Sequence, residues 1–175
     1  MSFALLGACG ALSEIDTYDS IGGYMQTTID GSVVVTGNAS MVFRDEAIAD
    51  SETYNLSFSL NDGGSIRVSL RANSRLSTGV DLEVIRYGDR YTVEFEGEDL
   101  HMSLGTASDD TVVRLGLQLE NDEPRFRVWN ELYGKDSLES FDSKGSGLNF
   151  SGGAGTRWGI SLISGTLNRA QKVLN

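Results

Sequence analysis

Tyr54-Asn-Leu-Ser-Phe-Ser-Leu-Asn-Asp-Gly-Gly-Ser-Ile-Arg-Val-Ser-Leu-Arg71 is the stretch that decides the fold of this chain. Apolar and polar residues alternate without a break up to Leu60. Ile66, Val68 and Leu70 then alternate with Arg67, Ser69 and Arg71. A period of two means extended backbone with one face buried. Asn61-Asp-Gly-Gly64 between the two runs is turn chemistry, so the stretch reads as an antiparallel hairpin.

The same pattern continues on both sides. Upstream, Ser32-Val-Val-Val-Thr36 is a β-branched run, followed by a turn at Gly37-Asn38 and a second run, Ser40-Met-Val-Phe43. Downstream, Val80, Leu82 and Val84 alternate with Asp81 and Glu83, and Tyr87-Gly-Asp-Arg90 reverses the chain into Tyr91-Thr-Val-Glu-Phe95. If the loop at 73–79 is symmetric about Leu76, Arg71 faces Asp81 and Ser69 faces Glu83 on the outer surface. Val113, Leu115, Leu117 and Leu119 share one face. Glu120-Asn-Asp-Glu-Pro124 then turns the chain, because proline lacks an amide donor and fixes its own φ. Arg125-Phe-Arg-Val-Trp129 and Trp158-Gly-Ile-Ser-Leu162 complete the strands, and the spacing of Leu167, Ala170 and Leu174 permits a short C-terminal helix. Many short strands and almost no helix imply an all-β, two-sheet antiparallel sandwich over residues 31–175, with 1–30 as an extended lead-in.

With 39% hydrophobic residues, the 175-residue chain can bury one sizeable core. Its formal net charge is −11, and residues 81–142 carry −10 of that. Such a balance excludes a nucleic-acid partner, which would need a basic footprint to displace counterions. It also excludes adsorption to an anionic membrane through the protein's own charge. No stretch approaches the roughly 20 apolar residues of a membrane-spanning helix.

A lone cysteine, Cys9, rules out an intrachain disulfide framework and any multi-thiolate metal site. Leu6-Gly-Ala-Cys9, preceded by Phe3-Ala-Leu5, resembles a bacterial lipobox, in which the cysteine is acylated. Eight residues precede it, none of them basic, and the first basic residue is Arg44; a working signal has a charged start and a longer apolar core. The resemblance implies a lipid on Cys9 and a place in a bacterial envelope, at the outer membrane or in the periplasm. The alternative is a small apolar segment with a buried thiol.

The run Glu52 to Arg71, the hairpin Leu117 to Trp129 and the strand Trp158 to Leu162 together resemble concanavalin A-like (laminin G-like) jelly rolls. The likeness spans about 130 residues, Val33 to Leu162. It implies a jelly-roll sandwich of a kind that often binds carbohydrate or protein. Some such domains are glycosidases or carry structural Ca²⁺.

Several residues carry candidate chemistry. If Phe126 and Val128 point inward, Arg125, Arg127 and Trp129 lie together outside, with Asn130 beside them. An indole next to such groups can stack on a sugar ring while they bind its hydroxyls, although a packed indole is the alternative. Asp109, Asp110 and Asp122 lie in turns and could supply oxygens to a structural Ca²⁺, which takes about six to eight. Glu94, Glu96, Glu98 and Asp99 could also offer oxygens, but Glu94 and Glu96 read as the solvated side of a strand opposite Val93 and Phe95.

Glu14-Ile-Asp-Thr-Tyr-Asp19 is similar to the Glu-x-Asp-x-x-Glu strand of laminarinase-type retaining glycosidases, which need two carboxyls about 5–5.5 Å apart. Here the third acid is Asp19 rather than Glu, and the motif lies far from the central strands. The glycine-rich stretch Gly145 to Gly155 lacks the Lys-Ser/Thr ending of a phosphate loop. His101 is the only histidine and has no nucleophile elbow near it. The expected function is therefore recognition of a glycan or envelope polymer without catalysis. A structural subunit bound to an envelope protein is the second reading, and a glycoside hydrolase the third.

Overall fold

The computed structural model describes residues 18–27, 33–43, 53–100, 102–120, 123–143 and 157–173. Among them there is no helix. Eleven strands run in chain order: β1 (Tyr18–Gly23), β2 (Gln26–Thr27), β3 (Val33–Phe43), β4 (Thr53–Ala72), β5 (Val80–Tyr87), β6 (Arg90–Phe95), β7 (Glu98–Asp99), β8 (Val113–Glu120), β9 (Glu123–Asn130), β10 (Ser140–Asp142) and β11 (Arg157–Val173). Every pairing is antiparallel. β1 and β2 fall in the segment expected as an extended lead-in, and both pair with β3.

β3, β4 and β11 are long strands shared by two layers. In the first layer the order is β2-β3-β11-β4-β8-β9-β10, built on the N-terminal parts of β3 and β4 and the C-terminal part of β11. In the second it is β1-β3-β11-β4-β5-β6-β7, built on the opposite ends of the same three strands. One sheet is thus creased and folded over itself, closing two layers around one interior. The contacts across it are aromatic. Phe95 of β6 meets Phe126 of β9 edge-on at 6.1 Å and 68°, and Tyr54 meets Trp158 at 4.8 Å.

Two expected turns prove to be the crease. Asn61-Asp-Gly-Gly64 does not reverse the chain; β4 runs straight through it while β11 pairs with both halves, Ser65 with Ile163 and Leu60 with Gly165. The four residues bulge out opposite Ser164. The same irregularity interrupts β3, where Asn38 pairs with Ile163 and Val35 with Gly165, so the chain bulges at Thr36-Gly37 rather than turning at Gly37-Asn38. Gly64 sits where β4 and β11 approach closely. A Cβ there would lie 2.2 Å from the Ser164 carbonyl oxygen, a distance no side chain tolerates.

The pattern of burial follows the alternation. Tyr54, Leu56, Phe58, Leu60, Ile66, Val68 and Leu70 all face inward, as do Val80, Leu82 and Val84. Across the β4–β5 hairpin the register differs from the expected one by two residues: Arg67 faces Glu83 and Ser69 faces Asp81. A shift of two keeps every side chain on its face. The described C-terminal residues are strand rather than helix, since β11 continues to Val173. A bulge between Leu167 and Arg169 puts Leu167 and Ala170, three residues apart, on the same buried face.

Candidate functional site

With Phe126 and Val128 fully buried, β9 turns Arg125, Arg127 and Trp129 to the outer face of the first layer. Register places the neighbours. Trp129 lies across from Arg114, Arg127 across from Gly116 and then Asn55, and Arg125 across from Gln118 and then Thr53. Thr53, Asn55, Gln118, Arg125, Arg127 and Trp129, joined by Lys135 from the loop after β9, line a hollow of about 230 Å³. Gly116 forms its floor; lacking a side chain between Asn55 and Arg127, it leaves the depression open.

The arginines are held in place. Arg125 forks onto Asp142, with Nε and Nη2 at 3.3 and 3.1 Å from its two oxygens. Arg127 Nη2 donates to Asp136 Oδ1 at 2.9 Å and to the Lys135 carbonyl at 3.3 Å. Its Nε stands 3.8 Å from Asp142. Asp142 is delivered by β10, where it pairs in register with Arg127. Arg114 is bound to Glu131 at 2.7 Å. A rigid strand and a tethered loop thereby fix a half-buried indole beside guanidinium, ammonium and amide groups, a constellation suited to stacking a ring and binding its oxygens.

Asn130 does not belong to this set. It is fully buried, on the inward parity of Phe126 and Val128, and its amide serves the fold. Nδ2 donates to the Thr106 carbonyl, and Oδ1 accepts from the Leu132 amide.

The acidic turns behave differently from the expected ion site. Asp109 accepts from Arg86 Nη1 at 2.6 Å, and the buried Arg86 also donates to the carbonyls of Leu60 and Gly88. Asp110 is exposed, and Asp122 lies outside the described residues. Among the described residues no three His, Cys, Asp or Glu side chains converge as a metal would require.

Cys9, Glu14, Asp16, His101 and the stretch Gly145 to Gly155 also lie outside the described residues, and Asp19 is described only as backbone in β1. A second hollow, of about 560 Å³, opens among loops near Asp89, Arg90, Tyr133 and Glu139. One face of Tyr133 is already taken there by the backbone of Gly105, and most of its lining is exposed loop. Sequence reasoning missed Asn55, Gln118 and Lys135. Asn55 and Gln118 stand on the polar parity of their strands, but only the β4-β8-β9 register brings them beside Trp129.

No family model matches the chain, and neither does any curated protein. Solved structures do match. The carbohydrate binding module CBM66 from Bacillus subtilis aligns at 16% identity and TM-score 0.56 over 89% of this chain and 94% of its own. The potassium-bound carbohydrate recognition domain of Emp46p aligns at 16% and 0.60, over 96% and 93%. The exoplasmic/lumenal domain of VIP36, in its Ca²⁺/Man-bound form, aligns at 12% and 0.59, over 91% and 84%. With these overlaps on both chains, the protein has the concanavalin A-like jelly-roll fold shared by lectin-type domains.

Proposed function

We propose that the protein is a non-catalytic module that recognises a glycan, held in the hollow on the outer face of β4, β8 and β9. Trp129 stacks against a sugar ring, and Asn55, Gln118 and the arginines bind its oxygens. The observation that carries this reading is the half-buried Trp129 beside a polar row over the bare floor of Gly116. Strands rather than loops hold that geometry, so little ordering is lost on binding. The likeness to carbohydrate-binding domains lends support through the shared fold alone. Leu6-Gly-Ala-Cys9 supports display on a bacterial envelope, at the outer membrane or in the periplasm, through a lipid on Cys9.

The test is a glycan array probed with the protein and with Trp129→Ala. Binding to one class of glycan, lost in the variant, is expected. An array left blank, or signals unaltered by Trp129→Ala, would dispose of the reading. A second reading, docking to an envelope protein, is favoured by the exposed Leu132 and Leu138 on the loop that carries Lys135, the latter 98% exposed. Stoichiometric co-purification of a protein partner, abolished by Leu138→Ser, is its signature.

A further inference from the structure

Charge is divided unevenly between the two outer faces, although β4 also turns Arg67 and Arg71 outward on the second layer. On the second layer, Glu83, Glu94 and Asp99 stand side by side across β5, β6 and β7, with Asp81 next to them and Arg67 as the cation in that row. On the first layer the outward positions hold Arg114, Arg125, Arg127 and Arg169. The hollow itself is lined by Arg125, Arg127 and Lys135, countered by Asp136 and Asp142. It therefore carries a local excess of one positive charge in a chain of net −11.

We propose that this hollow selects acidic saccharides, those carrying a carboxylate or sulfate group, over neutral ones; the inference rests on the glycan reading above. Two groups are placed to read the anion. Lys135 is exposed on the rim and forms no ion pair among the described residues. Arg127 spends Nη2 on Asp136 and the Lys135 carbonyl, while Nη1 keeps its donors uncommitted among the described residues. Asp136 and Asp142 orient the guanidinium, and a planar guanidinium then offers paired donors to a two-oxygen anion. Trp129 sets the ring alongside. A neutral sugar would leave the ammonium of Lys135 in water and offer Arg127 no pair of anionic oxygens.

The acidic second layer adds to the selection. An anionic polymer is repelled from Glu83, Glu94 and Asp99 and directed to the opposite face, an effect that salt weakens.

The experiment compares polymers that differ in charge on one backbone. Polygalacturonate is titrated against its fully methyl-esterified form, and κ-carrageenan against its desulfated galactan, with calorimetry at low and high salt. Preference for a charged member is expected, and the two pairs separate carboxylate from sulfate. Lys135→Ala and Arg127→Gln should each weaken that binding about 10- to 100-fold. Arg67→Ala, on the opposite face, should leave it unchanged, and thermal melts confirm that each variant is folded.

Equal binding to charged and neutral members would overturn the inference while leaving glycan recognition intact. Charged-polymer binding lost equally in Arg67→Ala would reveal unspecific attraction and would also overturn it. Binding to none of these polymers, together with a blank glycan array, would bring down the glycan reading and this inference with it.

Discussion

Three residues show how single groups fix the fold around the site. Arg86 is a buried cation that ties the crease of β4, the β5–β6 turn and the loop at Asp109 together. Asp109→Ala should therefore cost on the order of 1 kcal/mol in urea unfolding, because the carboxylate is itself largely exposed while Arg86 is buried. By the same argument, added Ca²⁺ or EDTA should leave the melting midpoint where it is, because Asp109 already has a partner. A midpoint raised by Ca²⁺ would put an ion at these turns.

Tyr91 is buried, and burial pushes its phenol above the usual 10.0, drawn back in part by the Thr111 hydroxyl and by Arg86. The contact with Thr111 falls short of a well-formed hydrogen bond. Above pH 10 the unfolded chain releases this proton before the folded one does, so stability falls as pH rises. Tyr91→Phe should remove that part of the slope above pH 10 and cost little at neutral pH. Asn130 is the cautionary residue. Its type suggested a ligand contact, but its position in the alternation made it a buried brace.

At the scale of the strand, alternation was readable and continuity was not. Leu60 and Ile66 lie six apart, an even number, so the inward face is the same whether the chain turns at Asn61–Gly64 or bulges there. Local chemistry cannot distinguish these outcomes; the pairing of both halves of β4 with β11 decides. The helix expected at Leu167, Ala170 and Leu174 arose in a related way, since a bulge in a strand yields a spacing of three that imitates a helix. Gly64→Ala should destabilise by more than about 1 kcal/mol, because the Ser164 carbonyl occupies the space for a Cβ. The row Glu83, Glu94, Asp99 sets like charges opposite one another. Glu94→Gln should thus raise stability by about 0.2–1 kcal/mol, more at low salt. A loss of stability would show that these carboxylates are held by contacts the register does not convey.

Across the whole molecule, the composition excluded partners more surely than it chose one. The net charge of −11 argued against nucleic acid, but it concealed the division of that charge between the two faces. Only the folded sheet gathers Arg114, Arg125, Arg127 and Arg169 on one side and Glu83, Glu94 and Asp99 on the other. The outward triad Arg125, Arg127, Trp129 was legible because it lies on one strand. Its companions were not, since Asn55, Gln118 and Lys135 come from other elements.

The two tryptophans permit a direct test, because Trp158 is 1% exposed and locked against Tyr54 while Trp129 lines the hollow. Tryptophan emission should be followed while an oligosaccharide found on the array is titrated in. A saturable change in emission is predicted for the protein, and its disappearance, together with weakened binding, in Trp129→Phe. Glycan binding that leaves the emission untouched, or that keeps its full affinity in Trp129→Phe, would contradict a binding site on the outer face of β4, β8 and β9.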